Sequence, residues 1–354
     1  MSSFARTRGA RNDSFVNSGV ISVGLVGYGL AGAVFHAPLI RACKRMELSG
    51  VMTSRDIPRR VSSIGELIER CDLVVIASPN ATHFPLAKSA LEAGKHVAID
   101  KPFTVTADEA EELIRLAASY GRVLTAFHNR RWDSDYLTVR EIMPRLGDIS
   151  LFEANWDRFR PALREGWRES PEAAGGLLND LGPHMIDQAL QLFGSPDAVD
   201  ADVTTQLEGR SVDDYFALTF HYGRMRACLR SSTLIAAPRP RFAVHGTGGS
   251  FVKWGLDPQE AQLKAGLMPR DDGFGLDPVA GILTATDGST ETIATKRGNY
   301  LAFYEAVADA ILDGAPVPVT AEDARNGLLL IALARDAARH GRRLPVPAAS
   351  SPEG

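Results

Sequence analysis

The stretch that most constrains the fold is residues 20–39, VISVGLVGYGLAGAVFHAPL, because it joins an apolar strand to a helix through a glycine-rich turn. A nearly continuous apolar run is typical of a parallel strand buried on both faces. Gly27, Gly29 and Gly32 then form the pattern G-x-G-x-x-G. These glycines permit a tight turn, let backbone N–H groups approach a pyrophosphate, and let the helix pack on the sheet. Because a strand precedes the turn and a helix follows it, we predict dinucleotide binding, with Leu30 among the contacts.

The composition is that of an ordinary soluble globular protein. The chain has 354 residues, 45% of them hydrophobic, which is enough for about two domains. A formal net charge of -4 gives no basic surface for nucleic acid or anionic membrane, and no apolar run could span a bilayer. The three scattered cysteines fit a reducing compartment. We therefore expect a cytoplasmic protein that binds small molecules, with no metal, nucleic acid or membrane as a partner.

The end of the second predicted strand, residues 47–52, bears on the choice of cofactor. An acidic residue here would bind the ribose hydroxyls of NAD, whereas a small hydroxyl with an arginine accepts the extra phosphate of NADP. The chain carries Ser54 and Arg55, with Asp56 one step further. We predict NADP, with NAD as the alternative. The following segment, residues 56–65, is too short for a full helix and strand, so the crossover is predicted to be abbreviated.

Polar residues also follow the next three predicted strands. In an open parallel sheet, the carboxyl ends of the strands are where ligands bind. The residues at these ends that we predict to contact the cofactor are Ser78, Asn80, His83, Lys101 and Asn129. For the segment from Ser78 to His83, a turn followed by a helix start is an equal alternative. Lys101 would place its ammonium group beside the nicotinamide, where it suits hydrogen bonding to a substrate hydroxyl.

From about residue 149, β-rich segments joined by turns replace the strand and helix alternation, which indicates a second domain. The predicted fold class is α/β: a doubly wound parallel Rossmann sheet followed by an α+β domain with a large, mostly antiparallel open sheet. The predicted boundaries are a disordered tail at 1–19, a Rossmann domain at 20–141, the second domain at 142–343 and a flexible tail at 344–354.

Residues 175–194 of the second domain are predicted to form a helix with Pro183 in its first turn. Asp180 and His184 are four residues apart near its start, so they lie on one face close to its positive end. That end favours a carboxylate and a neutral imidazole, which is the form that a general base needs. A helix cap and a core histidine are the alternative interpretation.

Several motifs together resemble the family of glucose-fructose oxidoreductase, inositol dehydrogenase and rhizopine-catabolism proteins. They are GYGLAG, SPNATHFPLAKSALEAGKHVAIDKPF, FHNRRWDSDY, WDRFRP, NDLGPHMIDQAL and HGTGGSFVKWGL, and the resemblance extends to about residue 343. It is strongest to the subgroup that contains NADP-dependent scyllo-inositol dehydrogenase. The resemblance implies that Lys101, Asp180 and His184 are catalytic, that the Lys101–Pro102 peptide is cis, and that the protein is a homodimer or homotetramer.

The activity implied by the resemblance is NAD(P)-dependent interconversion of a secondary alcohol of a cyclic polyol or sugar with its ketone. A hydroxyl-rich substrate needs charged hydrogen-bonding groups and flat apolar faces, and the candidates are Trp132, Asp157, Arg158, Arg160 and Trp167. Two alternatives remain: a reductase of a non-sugar carbonyl or dihydrodiol, and a non-catalytic NADP-binding sugar sensor. The presence of all three expected catalytic residues argues against the sensor.

Overall fold

Two sheets organise the molecule: a six-stranded parallel sheet and a nine-stranded mixed sheet. The computed structural model describes residues 19–163, 166, 169–170 and 175–347. The predicted fold class is confirmed, because a Rossmann domain precedes a domain with a mostly antiparallel sheet.

The first sheet has the strand order β3-β2-β1-β4-β5-β6 of a dinucleotide-binding fold. Its strands are β1 (Ile21–Val26), β2 (Met46–Met52), β3 (Arg60–Val61), β4 (Leu73–Ile76), β5 (His96–Ile99) and β6 (Leu124–Ala126). Its helices are α1 (Ala37–Ala42), α2 (Ile64–Ile68), α3 (His83–Glu92) and α4 (Ala107–Tyr120). Strands β1, β4, β5 and β6 are mostly apolar and almost completely buried, as a sheet covered on both faces requires.

The glycine-rich turn follows β1 as predicted. Gly27 has a φ of 93°, which only glycine adopts without strain, and its N–H donates to the carbonyl of Met52 at the end of β2. The chain then makes a π-helical turn, Ala31–His36, before α1 begins. π-turns are rare and occur frequently at functional sites.

The abbreviated crossover is also observed. After β2 the chain passes through a loop, residues 53–59, directly into β3, which pairs with β2 in parallel through its two residues. This short route brings Arg60 alongside the carboxyl end of β2.

The second sheet has the order β14-β13-β12-β11-β7-β10-β9-β8-β15, and only the pair β7–β10 is parallel among its described strands. The strands are β7 (Ile149–Asn155), β8 (Ala198–Thr204), β9 (Tyr215–Tyr222), β10 (Met225–Ser232), β11 (Phe242–Gly246), β12 (Gly249–Lys253), β13 (Gly281–Ala285), β14 (Thr290–Ile293) and β15 (Leu344–Pro345). The helices from β6 onward are α5 (Ser134–Ile142), α6 (Leu177–Phe193), α7 (Gln259–Lys264), α8 (Leu301–Asp313) and α9 (Ala321–His340). β15 lies within the segment that we predicted as a flexible tail, and it pairs with β8.

Helix α6 corrects one detail of the sequence analysis. It begins at Leu177, so Pro183 lies inside the helix rather than in its first turn. Proline has no N–H, and the carbonyl of Asn179 therefore receives no helical bond from it. The N-terminus is capped from a distant loop, because the Asp213 carboxylate accepts the N–H of Leu178 at 2.6 Å.

A segment from late in the chain completes the hydrophobic core of the Rossmann domain. Helix α8 comes late in the chain but packs on α1, and Phe303 and Tyr304 belong to the buried cluster of the Rossmann domain. The ring centroids of Phe303 and Phe127 are 4.9 Å apart. Arg131, which follows β6, binds both carboxylate oxygens of Asp187 on α6. These contacts fix the position of one domain on the other.

Candidate active site

A cavity of about 300 Å³ lies between the glycine-rich turn and the second domain. Its lining combines residues of the turn, the ends of β5 and β6, and α6 and α7. The lining residues are Leu30, Ala31, Phe35, His36, Asp100, Lys101, Phe127, Asn129, Arg130, Arg158, Arg160, Asp180, Leu181, His184, Glu260 and Lys264. The three residues predicted to be catalytic therefore lie in one cavity, although up to 83 positions separate them in the sequence.

Lys101 and Asp180 form an ion pair across the two domains. The Lys101 Nζ donates to Asp180 Oδ1 at 2.9 Å and to the Asp180 main-chain oxygen at 2.7 Å. The Arg158 guanidinium lies 3.3 Å from Asp180 Oδ2. The Lys101–Pro102 peptide is cis, as the resemblance implied. Two cations thus hold one carboxylate at the first turn of α6.

His184 is one turn further along α6 and is 5% exposed. Its ring stacks beside Trp156, with centroids 6.4 Å apart, and its Nδ1 has no hydrogen-bond partner among the described residues. Burial, and then the positive charges of Lys101 and Arg130, hold the pKa of His184 well below its usual value. The imidazole is therefore neutral near physiological pH, which is the form predicted for a general base.

A second buried cluster lies beneath Lys101. His36 Nδ1 is 2.6 Å from the Tyr304 hydroxyl, and its Nε2 is 3.7 Å from Asp100 Oδ2. Burial by itself raises the pKa of Asp100, but the nearby His36 ring and the positive charges of Lys101 and His83 outweigh it and lower that pKa. Asp100 is therefore an ionised carboxylate next to the catalytic lysine.

Arg130 is a further charged residue of the cavity lining. Its guanidinium is 4.4 Å from the centre of the Trp156 ring, donates to the Tyr300 hydroxyl at 2.9 Å and pairs with Glu260. Glu260 also pairs with Lys264, at 2.5 Å. Because Glu260 and Lys264 come from α7, this part of the cavity lining belongs to a segment far along the chain.

The residues predicted to contact the cofactor fall into three groups. Leu30, Lys101 and Asn129 line the cavity. Ser54 and Arg55 are exposed after β2, and Ser78 shares a hydrogen bond with Thr82 at 2.6 Å. The remaining polar residues, Asn80 and His83, are buried, and the His83 ring contacts two main-chain carbonyl oxygens.

Two of the predicted substrate residues, Arg158 and Arg160, line the cavity. The Asp157 side chain is instead fully buried, and both of its carboxylate oxygens accept hydrogen bonds from Arg239. The Trp132 ring packs against Phe303 in the hydrophobic core of the Rossmann domain. Trp167 lies outside the described residues.

Sequence reasoning missed several cavity residues. His36 and Asp100 were adjacent to motifs already recognised, and the histidine in FHAPL and the aspartate before Lys101 were signals that could have identified them. Glu260 and Lys264 gave no such signal, because an i,i+4 charge pair is usual on any solvated helix.

The glycine-rich turn fits a dinucleotide. A methyl group at Gly29 would meet no described atom within 4 Å, whereas one at Gly32 would overlap the carbonyl of Gly27. The turn therefore leaves room at Gly29, where a pyrophosphate would approach the backbone and the helix N-terminus. In the part of the chain that the structure describes, no group of three or more His, Cys, Asp or Glu side chains could hold a metal ion. No described helix is both long and apolar enough to cross a bilayer.

The fold and the site define an NAD(P)-binding oxidoreductase, and the comparisons with known proteins agree. The oxidoreductase family model for the NAD-binding Rossmann fold matches residues 21–128, and the model for the C-terminal alpha/beta domain of the same family matches residues 142–347. The chain belongs to this GFO/IDH/MocA oxidoreductase family.

Two relatives and one solved structure illustrate the similarity. The chain is 45% identical to the uncharacterized oxidoreductase YdgJ of Escherichia coli, over 90% of this chain and 97% of YdgJ. It is 40% identical to the scyllo-inositol 2-dehydrogenase (NADP(+)) IolW of Bacillus subtilis, over 92% of this chain and 95% of IolW. The structure of yvaA from Bacillus subtilis matches with a TM-score of 0.90 at 39% identity, covering 93% of this chain and 99% of that one.

Proposed function

We propose that the protein is an NADP-dependent dehydrogenase that interconverts a secondary alcohol of a cyclic polyol or sugar with its ketone. The observation that carries this proposal is the cavity in which Lys101, Asp180 and His184 meet beside the glycine-rich turn. The name of IolW, a relative of nearly full length, agrees with an inositol-like substrate.

Each side chain of the site has a role in alcohol oxidation. His184, neutral because its pKa is low, takes the hydroxyl proton. Lys101 donates a hydrogen bond to the substrate oxygen, while Asp180 holds the Lys101 ammonium and balances its charge. Arg158 and Arg160 supply hydrogen-bond donors to further hydroxyl groups. A bound nicotinamide cofactor supplies the hydride chemistry.

The preference for NADP rests on two arginines at the end of β2. Arg55 is exposed there, and Arg60 on β3 donates through Nε to the main-chain oxygen of Thr53 at 3.2 Å. Arg59, in contrast, is paired with Glu47. We infer that Arg55 and Arg60, together with Ser54, bind the 2′-phosphate.

Cofactor titration tests this preference. We expect NADPH to bind at least about tenfold more tightly than NADH, since two charge-assisted contacts supply more than about 1.4 kcal/mol. Fluorescence of the reduced cofactor measures both constants. Tighter binding of NADH would contradict the NADP assignment without affecting the catalytic assignment.

A substrate panel tests the activity. Inositol isomers and pyranoses are offered with NADP⁺ and NAD⁺, and formation of the reduced cofactor is followed by absorbance. We expect turnover of at least one cyclic polyol. If none reacts with either cofactor, the assignment as a polyol dehydrogenase is wrong. Reduction of a non-sugar ketone would then favour the non-sugar carbonyl reductase, and binding without turnover would favour the sugar sensor.

A further inference from the structure

His83 lies between two loops that end neighbouring strands of the parallel sheet. Its Nδ1 is 2.8 Å from the main-chain oxygen of Pro102, after β5, and its Nε2 is 2.9 Å from the main-chain oxygen of Ser78, after β4. The residue is 1% exposed. The ring thus bridges the predicted cofactor loop and the turn that carries Lys101.

The two contacts constrain the protonation state of the ring. A main-chain carbonyl oxygen only accepts hydrogen bonds, so each contact needs an N–H on the ring. A neutral imidazole carries one N–H, and its bare nitrogen would face a carbonyl oxygen at hydrogen-bond distance. Leaving such buried polar groups unsatisfied is unfavourable, because they have lost their hydrogen bonds to water. The geometry is therefore that of an imidazolium with both nitrogens donating.

A buried imidazolium needs a compensating negative charge, and Asp100 supplies it. The charge of His83 contributes to the stabilisation of the ionised Asp100 carboxylate, together with His36 and Lys101. Three of the carboxylates of α4, which packs along α3, are used elsewhere: Glu112 pairs with Lys88, Glu111 pairs with Arg325, and Glu109 completes the capping box of α4. Asp100 is thus the carboxylate that interacts with both histidines and with Lys101.

We propose that His83 is a positioning residue which, as an imidazolium, links the Ser78 loop to the Lys101–Pro102 turn. This link sets the position of the catalytic lysine relative to the cofactor-binding loop. The protonation state stands on the geometry of His83, whereas the kinetic consequence rests on the proposed dehydrogenase function. Without either ring N–H, one of the two bonds is lost.

Nuclear magnetic resonance of the whole protein labelled with ¹⁵N-histidine tests the protonation state. The chain has 8 histidines, and the signals lost in His83→Asn assign the ring. At neutral pH we expect both ring nitrogens to carry protons. A bare nitrogen at neutral pH would overturn the proposal, and this result needs no substrate.

Two amide variants separate the two bonds. The side-chain amide of His83→Asn reaches the place of Nδ1 and keeps the bond to Pro102, whereas that of His83→Gln reaches the place of Nε2 and keeps the bond to Ser78. For His83→Asn we expect about tenfold weaker NADPH binding with kcat within about twofold of wild type. For His83→Gln we expect a kcat about tenfold lower with NADPH affinity within about twofold.

The outcomes are distinguishable. Equal effects of both variants on both quantities, or no effect of either, would overturn the positioning role. If the wild-type enzyme turns over no polyol, the proposed function fails. The ring protonation and the NADPH affinities would still test whether His83 links the Ser78 loop to the Lys101–Pro102 turn.

Discussion

Lys101 acquires its partner from the other domain. The Lys101 side chain is 19% exposed and that of Asp180 is 22% exposed. Both are desolvated enough for their pairing to be stronger than that of a surface ion pair. The pair holds the ammonium in place without removing it from the cavity, since Lys101 still lines that cavity. The residue is thus available both to Asp180 and to a substrate oxygen.

Replacement of Lys101 by alanine should reduce kcat by about 10² to 10⁴, because a positioned hydrogen-bonding group in proton transfer contributes on that scale. NADPH affinity should change by no more than a few-fold, since the glycine-rich turn is untouched. Steady-state kinetics and fluorescence titration measure the two effects. Lys44→Ala, an exposed lysine in the same domain, is the control and should retain wild-type values. Retained turnover in Lys101→Ala would contradict the assigned role.

His96 should make the folded protein less stable at acid pH. Its Nδ1 accepts the N–H of Val123 at 2.9 Å, and burial lowers the pKa of His96 to about 4. As the pH falls from about 6.5 to about 4, the unfolded chain binds a proton here that the folded chain does not, so the free energy of unfolding decreases. The loss should be on the order of 2 kcal/mol.

The matched variant is His96→Asn, whose amide oxygen can accept the same N–H but does not titrate. Urea unfolding at pH 7 and pH 4.5 should show a smaller loss of stability in the variant than in the wild type. Other groups titrate equally in both proteins, so the difference isolates His96. The same pH dependence in both proteins would disprove this assignment.

At the level of elements, the first strand, turn and helix act as one unit. The π-helical turn brings His36 into the cavity before α1 starts, and the turn leaves the space at Gly29 open. Thr106 and Glu109 form a capping box at α4, and Gly121 ends that helix in the left-handed conformation. These features are local, and the sequence predicted the glycine-rich turn correctly.

Two glycine variants should separate folding from cofactor binding. Gly32→Ala would overlap the carbonyl of Gly27 and should lower the melting temperature by several degrees, on the order of 1 kcal/mol or more. Gly29→Ala meets no described atom, so it should melt like the wild type but bind NADPH at least about tenfold more weakly. Gly65→Ala on α2, which also meets no described atom, is the control for both measurements. Unchanged NADPH affinity in Gly29→Ala would show that the pyrophosphate does not bind at this turn.

At the scale of the whole molecule, the Rossmann domain is incomplete without the end of the chain. The completely buried Tyr300, Phe303, Tyr304 and Val307 join its core from α8 and the residue before it. Arg131 adds polar links to Asp187 and to Asp323 on α9. Folding of the two domains is therefore expected to be coupled.

A fragment of residues 1–141 should consequently fail to unfold cooperatively, because the surface that α8 covers would be exposed. Fusing residues 300–314 to the fragment through a flexible linker should restore a cooperative transition, which makes the fusion a matched control. Circular dichroism during heating and resistance to proteolysis measure both. A fragment as stable as the full chain would show that α8 is dispensable for the first domain.

Sequence reasoning predicted the fold class, the dinucleotide turn and the three residues that meet in the cavity. It erred on Pro183 because the start of α6 depends on Asp213, a cap 35 residues beyond Leu178. It also selected Asp157, which the structure instead pairs with Arg239. A carboxylate in sequence carries no sign of whether another segment will neutralise it.

The sequence by itself determined what depends on neighbours along the chain: strand periodicity, the glycine-rich turn, the helix cap and the polar residues at strand ends. Only the tertiary structure decided which polar groups meet, such as Asp180 with Lys101, or His83 with two carbonyl oxygens. The physical reason is the separation along the chain over which each kind of interaction acts. Backbone conformation responds to adjacent residues, whereas burial, ion pairing and pKa shifts arise between segments that packing brings together.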